Sequence, residues 1–566
     1  MNNKKLYFAL LLPLSLTIFA CKSNSEETPK DQDEPFKKSV KTTMELGEDY
    51  SDLSPSSNYK WEYDKTRWYI NTLDKVPLPD PQVYVEDDTY YIVGTDDGSS
   101  CRYVTCYYTT DFISYEKQVI FNPGNFASTW EQKSNPLIYA PELYKVKDKY
   151  YLYYSAIEQS SGKRRNSVVW SDNVLGPYEP IKNDDVDGYK APLFFDNEKG
   201  AVLDSTLFVD DDGEMYMYYS QSINGQSIYG VKLKSPYEAD FSTKKYIVLP
   251  GTIDNNADPE DKVLEWEYAY RGEYGPIAEG PFMFKSKGKY YMTYSVNGCW
   301  NKYYNVCYAV SDSPLGTFTK PYKEGELWTN LLMGVPCTDD TSDPVYDQWS
   351  GFHSGTGHHC FFKIGDQMMI GYHAHKNRNY NQNSSGWVGR YFAMDPVYTK
   401  EDGTPFINGP TYSPQPLPEP LSDYSNIAPK AKIRVENVTN EKAINDLYVT
   451  DCYNLEDGSN EVKLGKGYSF IELTFDKEYT IGGLAINNSA YYDSYVKDLE
   501  YVAFSNGDAF GYSTFPYSCV NDVKEFVYPV SAFVFEIDKE IKANKVTICF
   551  RTEEPLRINE VQVLAY

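Results

Sequence analysis

Five times between residues 88 and 373 the chain repeats one pattern, a turn containing Asp or Gly followed by a short run of Tyr, Met, Ile and Val. The copies are Asp88 to Thr95, Asp148 to Ser155, Asp212 to Ser220, Lys287 to Ser295 and Gly365 to His373. A turn leading into β-prone aromatic and aliphatic residues is how one strand reverses into the next. The copies return at intervals of roughly 60 to 80 residues, room for about four strands per unit. Radial repetition of such sheets predicts a five-bladed β-propeller, and five equivalent hairpins in one continuous region argue against a sandwich there. From about Ile427 the pattern changes. Phe470 to Phe475, Ile481 to Ile486, Phe533 to Ile537, Lys545 to Phe550 and Leu556 to Val563 alternate apolar and polar letters with period two, which predicts a β-sandwich. Pro, Ser and Gln cluster at 410–420, between the two regions. The expected fold class is all-β, with a propeller over 59–424 and a sandwich over 425–566.

A polar residue stands roughly eight to twelve positions ahead of each aromatic pair: Asp80, Glu142, Asp204, Glu279 and His358. The first strand of each propeller blade lines the central channel, so equivalent positions in five blades converge on one axis. Four carboxylates and an imidazole are expected to meet there. Clustered carboxylates raise one another's pKa, because charging one disfavours charging the next. An acid and a base held together in this way are what glycoside hydrolysis needs: one protonates the leaving oxygen, the other serves as base or nucleophile.

Composition narrows the partners. Lys and Arg number 54 against 81 Asp and Glu, a net charge of −27 that repels phosphate backbones and excludes nucleic acid as the expected partner. The 55 Tyr and 9 Trp suit stacking on sugar rings as well as aromatic strands. Trp130, Trp266 and Trp300 fall in expected loops and are candidates either for stacking on sugar or for buried packing. Lys4 and Lys5 precede an apolar run, Leu6 to Ala20, too short for an ordinary membrane span, so residues 1–21 read as a signal peptide. The run ends at Ala20-Cys21, which looks like a bacterial lipobox with Cys21 as the acylated residue. Residues 22–58 read as a solvated tether and lead-in, placing the protein at the bacterial cell envelope, in contact with membrane only through its anchor. Of the nine further Cys none forms a CxxC pair, which argues against zinc; Cys101 with Cys106 and Cys299 with Cys307 are spaced for local disulfides.

Taken in order, the Asp-Pro strand at Asp80, the Ala-Pro-acid strand at Glu142, the Leu-Asp-Ser strand at Asp204, the Glu-Gly-Pro strand at Glu279 and the Gly-His pair at His358 resemble glycoside hydrolase family 43. The resemblance runs from about Trp61 to Pro418. It implies that Asp80 is a general base, Glu279 a general acid and Asp204 an acid that orients Glu279 and tunes its pKa. It also implies inversion, with the Asp80 and Glu279 carboxyls roughly 6.5–9.5 Å apart to leave room for a water. Arg390 matches an Arg that reaches the sugar; Glu142, Tyr139, His358 and Trp300 complete the expected sugar-binding set. No cofactor is implied, apart from a structural calcium or sodium ion on the axis, approached by His358 through water. His359 alternates to the opposite strand face and reads as structural, while His373 and His375 read as rim residues. Tyr139 stands where the family more often has Trp, and Ser205 and Thr206 follow Asp204 where Pro is common, departures that bear on substrate rather than reaction. The resemblance implies release of sugars from plant-type polysaccharide, α-L-arabinofuranoside first and β-xyloside close behind. An exo-β-galactosidase, a retaining fructan-cleaving enzyme and a non-catalytic glycan-binding lipoprotein are the alternatives. The C-terminal pattern resembles galactose-binding-like, discoidin-type jelly rolls, which either bind glycan or pack on a neighbour.

Overall fold

The computed structural model describes residues 59–60, 67–194, 200–223, 225–268, 275–300, 303–334, 354–375, 389–411, 415–435, 438, 440–447, 449, 461–488, 498–514 and 532–566. The N-terminal apolar run, Cys21 and the tether fall outside the described residues.

Each repeat is a four-stranded antiparallel sheet built from consecutive strands, and there are five of them. Their inner strands are Gln82–Glu86, Tyr139–Val146, Ala201–Val209, Ala278–Ser286 and Ser354–Ile364. The repeated aromatic runs form the second strands, Thr89–Val93, Lys149–Ile157, Met215–Ser222, Lys289–Val296 and Gln367–His375. Side chains alternate across a strand, and each blade is covered on both faces by its neighbours, so both sets must be apolar or aromatic. That requirement explains the doubled Tyr letters. Tyr90 of the first blade packs on Phe112, ring centroids 4.6 Å apart, and on Phe362 of the fifth at 6.4 Å. Tyr153 of the second stacks on Phe194 at 5.7 Å.

The ring closes by tying its entry segment to the last blade. Trp68–Tyr69 pairs with Gln415–Pro416, and buried Asn71 donates to the Met394 carbonyl at 2.8 Å while its own carbonyl accepts from Met394 N–H at 3.0 Å. Of the two roles open to Trp130 and Trp266, sugar stacking or buried packing, both take the second and belong to this framework. Both are buried, Trp130 stacked on Tyr154 and Trp266 donating its indole N–H to Asn330 at 2.8 Å. Large indole faces left in loops beside the blades are drawn into the apolar layers between them.

The C-terminal region is a nine-stranded antiparallel sheet dominated by two long strands, Gly467–Asn488 and Ala532–Thr552. Their register breaks at Thr474/Tyr479 and at Ile481/Gly483. Alternate residues such as Ile471, Leu473, Leu484, Val546, Ile548 and Val561 join one buried apolar cluster, as the period-two pattern demands. Ser425–Asn426 enters this sheet by pairing with Ala565 and Leu564. At the other end Tyr59–Lys60 pairs with Ile537 and Glu536 of the C-terminal sheet, and Trp68–Tyr69 is the first described strand that pairs with the propeller region. The cysteines spaced for local disulfides do not pair among the described residues. Cys101, Cys106, Cys299 and Cys307 are free thiols; Cys106 and Cys307 point into separate apolar layers, away from their sequence neighbours.

Candidate active site

Each inner strand carries one residue in the left-handed backbone region just as it reaches the axis: Asp80 (φ 53°), Ala140 (43°), Asp204 (56°), Gly280 (54°) and His358 (45°). Pairing with the second strand skips there, between Tyr139 and Glu142, Leu203 and Thr206, Glu279 and Phe282, and Gly357 and Cys360. These are β-bulges, which re-aim a side chain, and four of the five occupants carry roughly 1–3 kcal/mol of backbone strain for it. The bulge corrects the expected equivalence of the five polar residues. Asp204 and His358 occupy the bulge itself and Asp80 the left-handed position just ahead of its strand; Glu279 stands one position before the bulge of its blade, and Glu142 two positions after.

What holds the bulges is a ring of hydrogen bonds from blade to blade. The backbone N–H of Ala140 donates to Thr95 Oγ1 (2.9 Å), that of Asp204 to Ser155 Oγ (3.0 Å), that of His358 to Ser295 Oγ (2.8 Å) and that of Asp80 to His373 Nδ1 (3.1 Å). In the remaining blade the donor is Gly280 N–H, and it goes to the Asp204 carboxylate at 3.1 Å. The acceptors Thr95, Ser155, Ser295 and His373 are the last letters of the repeated phrases, a signal that was present in the sequence. The same ring corrects the placement of two histidines. His373 and His375 are fully buried on the second strand of the fifth blade, not at the rim; His375 Nε2 donates to the Cys299 carbonyl at 3.1 Å. Accepting from Asp80 N–H requires His373 Nδ1 to be unprotonated, and burial holds its pKa well below the usual imidazole range. His359 is buried on the other face and bonds Thr293 at 2.6 Å, the structural role that alternation predicts.

Three carboxyls face one another at the axis. Asp80 accepts from Thr95 Oγ1 at 2.6 Å and from Arg390 Nη1 at 3.2 Å, with His358 Nδ1 at 3.4 Å. Burial alone would raise its pKa, but Arg390, His358, Thr95 and Arg164 outweigh that and hold it below the ordinary carboxylate value. Glu279 has the opposite environment: the group that donates to its carboxyl, at 3.0 Å, is the neutral amide of Gln226. Burial and the charge on Asp80 push its pKa up to about 7, against the Tyr304 hydroxyl and the two arginines. Asp204 is also raised, by burial and then by Glu279 and Asp80, and its bond to Gly280 N–H fixes the backbone beside Glu279.

Arg164, Gln226 and Arg390 are the first residues of the third strands of their blades, so one structural position supplies three polar groups to the axis. Sequence reasoning found only Arg390, because the loops between second and third strands differ in length and hide the equivalence. Arg164 also lies over the Tyr139 ring, 4.7 Å from its centroid, and half-buried Tyr139 pairs with Ser155 as Glu279 pairs with Ser295 in its own blade. Trp300 is half-buried against Gly298, where a Cβ would lie 2.8 Å from the indole. Glu142 is not brought to the acids: it bonds Tyr144 and Thr206 below the bulge, where burial raises its pKa to about 8. For an axial ion the site offers little. His358 turns Nδ1 to Asp80, and no three His, Cys, Asp or Glu among the described residues form a metal-binding group, so a calcium or sodium ion would be held mainly by water.

If Asp80 serves as base and Glu279 as acid, as the family resemblance implies, their opposite shifts predict a bell-shaped pH dependence. Glu279 must keep its proton, so kcat/KM is expected to fall as pH rises through about 7; Asp80 must stay charged, so the acid limb is expected below the ordinary carboxylate range. A kcat/KM profile recorded from pH 3 to 9 checks both limbs.

Residues 70–405 match the model of the family described as Glycosyl hydrolases family 43. The chain is 28% identical over 187 residues to a beta-xylosidase of Xylanibacter ruminicola, covering 30% of this chain and 52% of that protein. It is 29% identical over 202 residues to the xylosidase/arabinosidase 43A of Humicola insolens, covering 32% and 56%. The chain thus spans about half the length of the curated relatives it matches. A solved thermostable family-43 glycoside hydrolase is similar at 25% identity and a TM-score of 0.47, over 62% of this chain and 99% of that one.

Proposed function

Because the chain belongs to glycosyl hydrolase family 43, we propose that it hydrolyses glycosidic bonds with inversion, releasing pentose units from plant-type polysaccharide. The observation that carries this reading is the split between two carboxyls of one site: Asp80 is surrounded by cations and a hydroxyl, whereas Glu279 is buried with a neutral amide. Asp80 is then the base that takes a proton from the attacking water, and Glu279 the acid that protonates the leaving oxygen. Arg390 orients Asp80 by its hydrogen bond, and its fixed guanidinium plane suits sugar hydroxyls. Asp204 orients the Glu279 backbone, and burial together with the charge on Asp80 keeps the acid protonated.

The names of the two relatives, a beta-xylosidase and a xylosidase/arabinosidase, favour pentosides without ranking them; α-L-arabinofuranoside is the first substrate class proposed and β-xyloside the second. The β-galactoside and non-catalytic readings are the outcomes to be tested against. Aryl α-L-arabinofuranoside, β-xyloside and β-galactoside are offered to the wild-type protein, and the anomer of the first product is read by proton NMR. Release of a pentose with inverted configuration is expected. A retained anomer would overturn the role of Asp80 as base, and no release from any member of the panel would overturn the enzyme.

A further inference from the structure

A cavity of about 530 Å³ opens beside Arg390, between the outer strands of the first blade and the third strand of the fifth. Its walls include Tyr103, Thr105, Lys117 and Val119 on one side and Tyr391 on the other. The volume lies within the range of small-molecule sites, and aromatic faces with a few placed polar groups are how such sites hold a sugar. Arg390 joins this cleft to the catalytic centre: Nη1 donates to Asp80, and Nη2 lies 3.6 Å from Asp97, another lining residue. The Nε–H of Arg390 is buried with no hydrogen-bond partner among the described residues, a donor left over for a ligand. The lining charges balance, Arg390 and Lys117 against Asp96 and Asp97. Asp96 accepts from Thr105 Oγ1 at 2.6 Å and Ser99 N–H at 2.9 Å, and Lys117 Nζ sits 5.4 Å from the Tyr107 ring centroid. The occupant is therefore a neutral group.

We infer that this cleft binds a neutral sugar attached to the glycone, so that the enzyme recognises a glycan extending beyond the unit whose bond it breaks. The inference rests on the proposed inverting hydrolysis. In that reaction the leaving group lies at the acid and the base attacks from the opposite face of the ring. The cleft lies on the side of the base, lined by the Arg390 that bonds Asp80; Glu279 lies on the fourth blade, with Gln226 and Tyr304 about it. A sugar in the cleft thus extends the glycone and is not the leaving group.

The test compares kcat/KM for the aryl glycoside of the pentose cleaved with that for aryl glycosides of its disaccharides. The wild type is expected to prefer a disaccharide glycoside by at least about tenfold, a typical gain for one well-packed contact set. Tyr103→Ala removes a stacking face, and Val119→Trp fills the cleft from a position already 48% exposed. Both are expected to bring the ratio of the two kcat/KM values towards one. A wild-type ratio of one or less, or a ratio that neither variant lowers, overturns the cleft as a subsite while hydrolysis itself stands. Failure to cleave any aryl glycoside overturns the hydrolysis on which the inference rests.

Discussion

Asp80→Asn is expected to lower kcat by about 10²–10⁴-fold, the ordinary range for loss of a general base, and to do so whatever the leaving group. The base acts on the water, so a better leaving group cannot compensate. The substitution keeps the shape of the side chain but places an amide where Thr95 and Arg390 both donate, leaving one of them without an acceptor. Glu279→Gln makes the contrast. Its loss is expected to be as large for natural linkages but to shrink for aryl glycosides, whose leaving oxygens depart with little protonation. The two variants should also split the pH profile. Asp80→Asn removes the acid limb; Glu279→Gln removes the alkaline limb near 7, because no proton then remains to be lost. Steady-state rates against leaving-group pKa decide the assignment. If Asp80→Asn retains more than a tenth of wild-type kcat, or if its loss varies with the leaving group as that of Glu279→Gln does, Asp80 is not the base.

The propeller was readable in the sequence because its physics is repetitive. A blade covered on both faces needs the same aromatic strand each time, and the five phrases supply it. The three acids were readable for the same reason, since each opens an inner strand. The register of those acids was not. Aligning Asp80, Glu142, Asp204, Glu279 and His358 letter by letter assumes an unbroken ladder, whereas the bulge places Ala140 and Gly280, not Glu142 and Glu279, opposite Asp80. The prolines that follow Asp80, Ala140 and Gly280 mark the bulge position, and they were the available clue. Groups that come from third strands, Arg164 and Gln226 among them, were hidden by unequal loops. Burial of His373, Trp130 and Trp266 depends on which neighbouring blade covers them, a non-local fact that no single phrase contains.

The largest stability effect is expected away from the acids, at a buried ion pair in the fourth blade. Lys320 Nζ lies 2.5 Å from Glu267 Oε2, and the two side chains are 1% and 0% exposed. Every acceptor direction of the carboxylate is filled: Oε2 also takes Gly251 N–H at 2.7 Å, and Oε1 takes Tyr294 Oη at 2.6 Å and Asn330 Nδ2 at 2.7 Å. Lys320 donates in addition to the Leu249 carbonyl at 2.7 Å. Lys320→Met leaves a buried charge without its counter-ion, which costs about 3–5 kcal/mol and lowers the melting temperature by roughly 5–15 °C. Glu267→Gln is expected to cost a similar amount. The double variant should recover part of the loss, because the pair then leaves no unpaired charge behind. The network also reaches the site. Asn297 Nδ2 donates to the Trp266 carbonyl at 3.0 Å and to the Tyr303 carbonyl at 3.2 Å, fixing the turn that carries Tyr304 to Glu279. Thermal unfolding followed by circular dichroism, with kcat measured well below the transition, separates the two consequences. Single variants that melt within about 2 °C of the wild type, well inside the shift expected for a lost buried pair, would show that the pair is not what holds this blade together; a normal melting temperature with a displaced alkaline limb would place its importance in positioning Tyr304 instead.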